Sequence, residues 1–258
     1  MILKKKLLLN IFIFCITVMF LYFFEQPFHF IPPEEFTNND LKIYFINMDE
    51  QIDRWDKIKD KLQNIHRFNA INGKKVNRDE LIRKGILTEK NMLGDGQLGC
   101  ALSHIECIKL IKNQYEEFGL ILEDDVIIPD DFDSQIKKIK KYLPKKWDII
   151  FLGGCNIYGK KINEKFISPT QTDGSKNLCM HAYIINKNNS EKILSYLKPL
   201  YRPVDSQLRD NFNELDIFYA NPNLINQNKN LISNRRVLDG LPQSDYWKKH
   251  HTDITITH

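Results

Sequence analysis

The sequence predicts an α/β domain behind an apolar N-terminal segment, on three observations. Short apolar runs of strand length alternate with stretches of helical spacing along residues 41–200, the pattern of strand–helix–strand units. One run, Phe118-Gly-Leu-Ile-Leu-Glu-Asp-Asp-Val-Ile-Ile128, delivers three consecutive acids at a strand's end, where open α/β sheets bind ligands. Residues from Leu7 to Phe24 are apolar except for Asn10 and Thr17, and Lys4, Lys5 and Lys6 precede them.

That N-terminal run of about 18 residues, at roughly 1.5 Å each, approaches the hydrocarbon thickness of a thinner membrane. It ends in Leu21-Tyr-Phe-Phe-Glu-Gln-Pro27, without the small residues at which a signal peptidase cuts, so an uncleaved transmembrane signal anchor is expected rather than a cleaved signal peptide. The lysines stay cytoplasmic, which makes the chain a single-pass type II membrane protein. Its domain then faces a lumen, that of the Golgi or endoplasmic reticulum in a eukaryotic cell or a eukaryotic host of a virus, or the periplasm in a bacterium. The organisation expected is lysines and anchor over 1–24, a proline-containing stem over 25–40, a folded domain over 41–235 and a C-terminal tail over 236–258. Three of the 37 basic residues and none of the 33 acids precede residue 25. The domain is therefore nearly neutral, and nothing in its charge argues for nucleic-acid binding.

Within the domain, Lys42 to Ile46 reads as a strand ending at Asn47-Met-Asp49, and Glu50 to Leu62 as a helix with Ile52, Trp55, Ile58 and Leu62 on one face. Asn47 and Asp49 thus fall at a strand's carboxyl end. Arg54 sits on the next helix's first turns, as a surface charge or within reach of an anion. His66 to Ile71 is a second strand, Arg78 to Lys84 a helical piece, and Gln97 to Tyr115 a strong helix. On that helix Cys100, His104 and Cys107 share a face, but three ligands from one straight helix fit a tetrahedral zinc site badly; core packing is expected for the cysteines and buried hydrogen bonds for Ser103 and His104.

Beyond the acidic strand come a basic helix over Ser134 to Leu143 with its lysines in solvent, and a strand from Trp147 to Leu152. That strand closes in Gly153-Gly154, where a backbone could approach a ligand. Residues 155–178 read as a long loop, Cys179 to Ile185 as a strand and Asn188 to Leu197 as a helix. Asp205 opens a helix running to Leu215, where it could act as an N-cap. Asp216 to Ala220 is a last short strand, and the chain from Asn221 is weakly patterned. Of the cysteines, Cys15 is in the anchor; Cys100, Cys107, Cys155 and Cys179 could form two disulfides in a lumen, although a chain this long has core enough without them. Cys100 and Cys107 lie about 10 Å apart along the helix, too far to pair.

The acids carry the chemistry. Glu123, Asp124 and Asp125 at one strand end would repel each other unless a cation compensated them. Hard carboxylate oxygens suit Mg²⁺ or Mn²⁺, which keep other coordination positions for phosphate oxygens. The residues alone therefore predict a divalent-metal site for a phosphorylated substrate.

Ile46-Asn-Met-Asp49 with Asp53-Arg54, then Gly96-Gln-Leu-Gly-Cys-Ala-Leu-Ser-His104, Leu122-Glu-Asp-Asp-Val126 and His181-Ala-Tyr183, in that order, resemble glycosyltransferase family 25. This family includes bacterial lipooligosaccharide and animal procollagen galactosyltransferases. The resemblance spans roughly residues 41–227. It implies a GT-A type fold, a nucleotide-sugar donor that is usually a UDP-hexose, inversion at the anomeric carbon, and an acceptor that is a glycan, lipooligosaccharide or glycoprotein. Glu123, Asp124 and Asp125 match the family's acidic motif and would hold Mn²⁺ or Mg²⁺. Asn47 and Arg54 match its nucleotide contacts, and Asp49, Ser103, His104 and Gly153 join them as candidates around the donor. Pro203-Val-Asp205 looks like its Pro-Val-Asp segment and makes Asp205 the candidate base, with Asp125 the central catalytic carboxylate. Other readings are a metal-dependent phosphotransferase or nucleotidyltransferase, for which Gly153-Gly154 followed by Lys160-Lys161 is a poor phosphate loop, and a glycan-binding domain without turnover.

Overall fold

The computed structural model describes residues 41–171, 176–228, 230–231, 238–240 and 254–257. The expected anchor and stem, residues 1–40, lie outside these. No helix among the described residues is long and apolar enough to cross a membrane.

The apolar runs become strands β1 (Leu41–Asn47), β2 (Ile65–Asn69), β3 (Phe118–Glu123), β4 (Val126–Ile127), β5 (Ile149–Cys155), β6 (Ile157–Lys161), β7 (Phe166–Pro169), β8 (Leu178–Asn186), β9 (Ile217–Ala220), β10 (Asn226–Gln227) and β11 (Ile254–Thr257). The helices are α1 (Ile52–Asp56), α2 (Arg78–Arg83), α3 (Asp95–Asn113), α4 (Phe132–Lys140), α5 (Ser190–Tyr196) and α6 (Val204–Arg209). Nine strands form one mixed sheet in the order β11-β6-β7-β9-β5-β8-β3-β1-β2, and β4 and β10 form a separate two-stranded ladder. β1 runs parallel to both β2 and β3, with Asn47 opposite Asn69 and Ile46 opposite Glu123, so three polar strand ends share one edge. β8 runs antiparallel to β3, which brings its first residues to that same edge.

The central runs are apolar without interruption because the sheet is covered on both faces. One face presents Tyr44, Ile121, Phe151 and Tyr183 to the buried stripe of α3, where Leu98, Ile105 and Ile108 pack. Residues of the opposite parity, Phe45, Leu120 and Leu122, are buried too, with Phe45 against the Trp55 ring at 5.9 Å. Phe151 stacks on Tyr219 with ring centroids 4.6 Å apart, a pair that contributes about 1 kcal/mol beyond its buried area.

Several expectations are corrected. The helix expected over Glu50 to Leu62 is a 3-10 turn, Asp49–Gln51, followed by α1 alone; Ile58 and Leu62 are still buried, but on turns. No side chain caps α1, and so short a helix depends on what it packs against. The expected loop over 155–178 holds β6 and β7, which extend the sheet antiparallel to one another. Cys155 and Cys179 form a disulfide, with Cα atoms 5.5 Å apart, that brackets this hairpin. Lys140, expected in solvent, is buried at 7% exposure at the end of α4. Asp205 is not the N-cap of α6; Pro203 occupies that position and Asp205 lies in the first turn, and the helix stops at Arg209 rather than Leu215. Within the expected tail, Ile254–Thr257 pairs with β6 as a parallel edge strand.

Candidate active site

A cleft of ≈ 1050 Å³, counting the open solvent at its mouth, lies over the strand ends. Arg54, Ser103, His104, all three acids of the turn, and Asp205 line it. Asn47, Asp49 and Gly153 are not among its lining residues.

The three consecutive acids meet three different sets of partners. Asp124 Oδ1 takes Arg54 Nη1 at 2.8 Å and its Oδ2 takes Asn47 Nδ2 at 3.0 Å. Both side chains of the ion pair are nearly buried, at 6% and 13% exposure. Burial holds the Asp124 carboxyl above the usual range, and the Arg54 charge with the Asn47 and Arg54 hydrogen bonds pulls it back. The chain of contacts continues away from the cleft. Asn47 Oδ1 accepts from Arg67 Nε at 2.8 Å, and Arg67 Nη2 pairs with Asp49 Oδ1 at 2.7 Å. Arg54 thus reaches toward the strand end and meets an anion of its own chain there. Asp49 serves to hold Arg67.

Asp125 accepts from the neutral amide of Gln227, whose Nε2 lies 3.2 Å from Oδ2 and 3.3 Å from Oδ1. Burial, then the charges of Glu123 and Asp124, push its carboxyl from the ordinary 3.8 up to about 7, and the Gln227 hydrogen bond opposes this. The β4–β10 ladder sets Gln227 opposite Val126, and Asn228 N donates to the Asp125 carbonyl at 2.6 Å.

Glu123 Oε1 faces His104 Nε2 at 3.1 Å, and His104 Nδ1 meets the Tyr183 hydroxyl at 2.8 Å. Ser103, one position earlier on α3, donates its hydroxyl to Gly99 O at 2.7 Å and accepts from Ile71 N at 2.8 Å. A Cβ on Gly99 would stand 2.3 Å from Ile71 O, so the glycine lets the segment after β2 press onto α3. In the Gly99-to-His104 block, then, Gly99 and Ser103 dock a loop and His104 addresses the acidic turn.

Asp205 Oδ2 accepts from Cys179 N at 3.2 Å and its Oδ1 from Ser206 N at 2.7 Å. Cys179 has φ +72°, a left-handed backbone that costs a side-chain-bearing residue on the order of 1 kcal/mol. The neighbouring disulfide and the Asp205 contact both act at this strained residue. Gly153 is approached closely, but by its own chain: a Cβ there would lie 2.0 Å from Ile225 O and 2.3 Å from His181 Nε2.

Arg67, Gln227, Tyr183 and the disulfide are parts of the site's support that the sequence reading did not assign. Arg67 alone had a local signal, since it lies on the same face of β2 as Asn69, two residues from the polar strand end.

An α/β sheet with a carboxylate-lined cleft over its strand ends is the arrangement in which such sheets bind polar or charged ligands. The description "Glycosyltransferase family 25 (LPS biosynthesis protein)" matches residues 40–208. The chain belongs to glycosyltransferase family 25. A relative in Aedes aegypti, a "Glycosyltransferase 25 family member", is 24% identical over 230 residues, which cover 81% of this chain and 37% of that protein. The chain thus matches little more than a third of that relative's length. Among solved structures, A197 from STIV matches with a TM-score of 0.35 at 13% identity, over 69% of this chain and 80% of that one. The 4-diphosphocytidyl-2C-methyl-D-erythritol synthase of Anaerococcus prevotii DSM 20548 matches with a TM-score of 0.35 at 13% identity, over 77% of each chain. Both likenesses are too distant to inform the fold.

Proposed function

We propose that the chain is a glycosyltransferase that moves a hexose, galactose first among the candidates, from a UDP-sugar to a hydroxyl of a glycan, lipooligosaccharide or glycoprotein, with inversion and on a GT-A type fold. The observation that carries this reading is Asp125. Its carboxylate stands in the cleft beside two further acids, is held by a neutral amide, and is pushed up to about 7. A group in that position is stabilised as an anion by a hard divalent cation, and the donor set fits one. Asp125 would hold Mn²⁺ or Mg²⁺, with Glu123 or Asp124 directly or through water. When bound, the cation offsets charge building on the departing diphosphate.

The chain's own groups do the rest. Asp205 lines the same cleft and is fixed by two backbone N–H groups, and as general base it takes the proton of the acceptor hydroxyl that attacks the anomeric carbon. Arg54 keeps Asp124 anchored and the turn in place. The apolar N-terminal run would tether the enzyme to a membrane with this domain in a lumen, and the Cys155–Cys179 disulfide is in keeping with an oxidising compartment.

Donor hydrolysis tests the reading. The purified chain is offered UDP-galactose, UDP-glucose and their N-acetyl forms, with Mn²⁺ or EDTA, beside an Asp125→Asn control. The expected result is metal-dependent release of UDP from one donor, lost in the control; absence of both UDP release and UDP binding in folded protein would overturn it.

A further inference from the structure

Cys100 and His104 are four residues apart on α3, so their side chains share a face, and that face meets the end of β3 where Glu123 stands. His104 Nε2 is 3.1 Å and Cys100 Sγ 4.0 Å from the same oxygen, Glu123 Oε1. The three donor atoms all lie within 4.8 Å of one another, and all three residues line the cleft. The other nitrogen of the buried His104 ring is held by the Tyr183 hydroxyl, the kind of outer partner that fixes the ring of a metal-ligating histidine.

We propose that Cys100, His104 and Glu123 bind a borderline-soft divalent cation such as Zn²⁺ or Co²⁺; Glu123 then belongs to this site, and the hard-cation position keeps Asp125 with Asp124 directly or through water. The donor set selects the ion. Thiolate and imidazole favour Zn²⁺ or Co²⁺, whereas Mg²⁺ and Mn²⁺ take oxygen ligands. Distances agree: bonds of about 2.0–2.3 Å put the ligand atoms of a tetrahedral ion roughly 3.3–3.8 Å apart, so the observed separations need only small side-chain adjustments. Three protein ligands leave a fourth position, and because all three line the cleft, that position faces it. Cys100 binds as its thiolate and releases its proton to solvent. Among the described residues the other free thiol, Cys107, is fully buried and is not part of the cluster. In the other cysteine–histidine grouping, around His181, both sulfurs are taken by the disulfide.

The site is tested without reference to transfer activity. The whole chain is stripped with a chelator and titrated with Co²⁺ while its absorbance is followed. The expected result is a thiolate-to-cobalt charge-transfer band that saturates at one ion per chain, displaced by Zn²⁺ but not by Mn²⁺. Cys100→Ser should abolish the band, Tyr183→Phe should weaken affinity by about 10–100-fold, and Asp125→Asn should leave the band in place. No band from protein that circular dichroism shows to be folded, a band surviving in Cys100→Ser, or displacement by Mn²⁺ would each overturn the proposal. Because the band does not depend on donor turnover, its failure is distinguishable from failure of the UDP-sugar reading.

Discussion

Toward β1 two carboxylates meet guanidinium groups, Asp124 with Arg54 at the cleft and Asp49 with Arg67 behind it, and Asn47 bonds to both ion pairs. On the side of α6 and β10 the acids are held by neutral groups, Asp125 by the Gln227 amide and Asp205 by two backbone N–H groups. The first side is compensated within the protein, so its role is to hold shape. The second carries acids that a cation or a substrate proton can still answer, and the proposed chemistry is assigned to it. Mutations on the two sides should separate stability from turnover.

The largest separation is expected at Asp205. Asp205→Asn removes the proposed base and should lower kcat by about 10²–10⁴-fold, with the melting temperature close to wild type. Transfer assays beside thermal melts check this, and a variant that melts early with intact specific activity would assign Asp205 to structure. Arg54→Met is the converse: it leaves Asp124 nearly buried without its cation and should cost about 3–5 kcal/mol of stability, read by urea unfolding. Reducing the Cys155–Cys179 bond, or replacing both cysteines with serine, should cost about 3 kcal/mol for a loop of this length. The same change loosens the Cys179 N–H under Asp205, so kcat should fall with stability. A change in stability alone would confine the disulfide to the hairpin.

A smaller effect is expected from pH. The Asp125 carboxyl is raised to about 7, so the folded protein holds a proton there that the unfolded chain releases near 3.8. Stability should therefore be greatest below about pH 4 as far as this group is concerned, and decline as pH rises toward 7. Asp125→Asn should remove that decline, and Mn²⁺ should offset it above pH 7. Melting curves from pH 4.5 to 8 with and without the ion measure both, and parallel curves for wild type and variant would contradict the assigned shift.

Much of the scaffold was legible because two-sided burial writes strands as unbroken apolar runs. β1, β3, β5 and β8 appear in the sequence as Ile-, Leu- and Phe-rich stretches, and α3 as a long apolar stripe. β6 and β7 were not legible, since each buries only two residues and β6 ends in exposed Lys160 and Lys161. The acidic turn and Arg54 could be placed at a strand end by local reasoning. Their partners could not, because Arg54 to Asp124 and Gln227 to Asp125 are contacts across the fold, 70 and 102 positions apart. The cysteine pairing was closed to inspection for a related reason: four thiols allow three pairings, and only the sheet, by setting Cys155 at the end of β5 opposite Leu178 of β8, selects one.

The β4–β10 ladder also bears on the order in which the enzyme is built. The family match ends at residue 208, and the amide that holds Asp125 arrives only with Gln227. Contacts of such long sequence separation are slow to form, because loop-closure entropy is spent before they reward it. A nascent chain emerging through residue 208 would carry the acids and Asp205 without that amide. Synthesis stopped short of Gln227 would leave the acidic turn without the amide that holds Asp125.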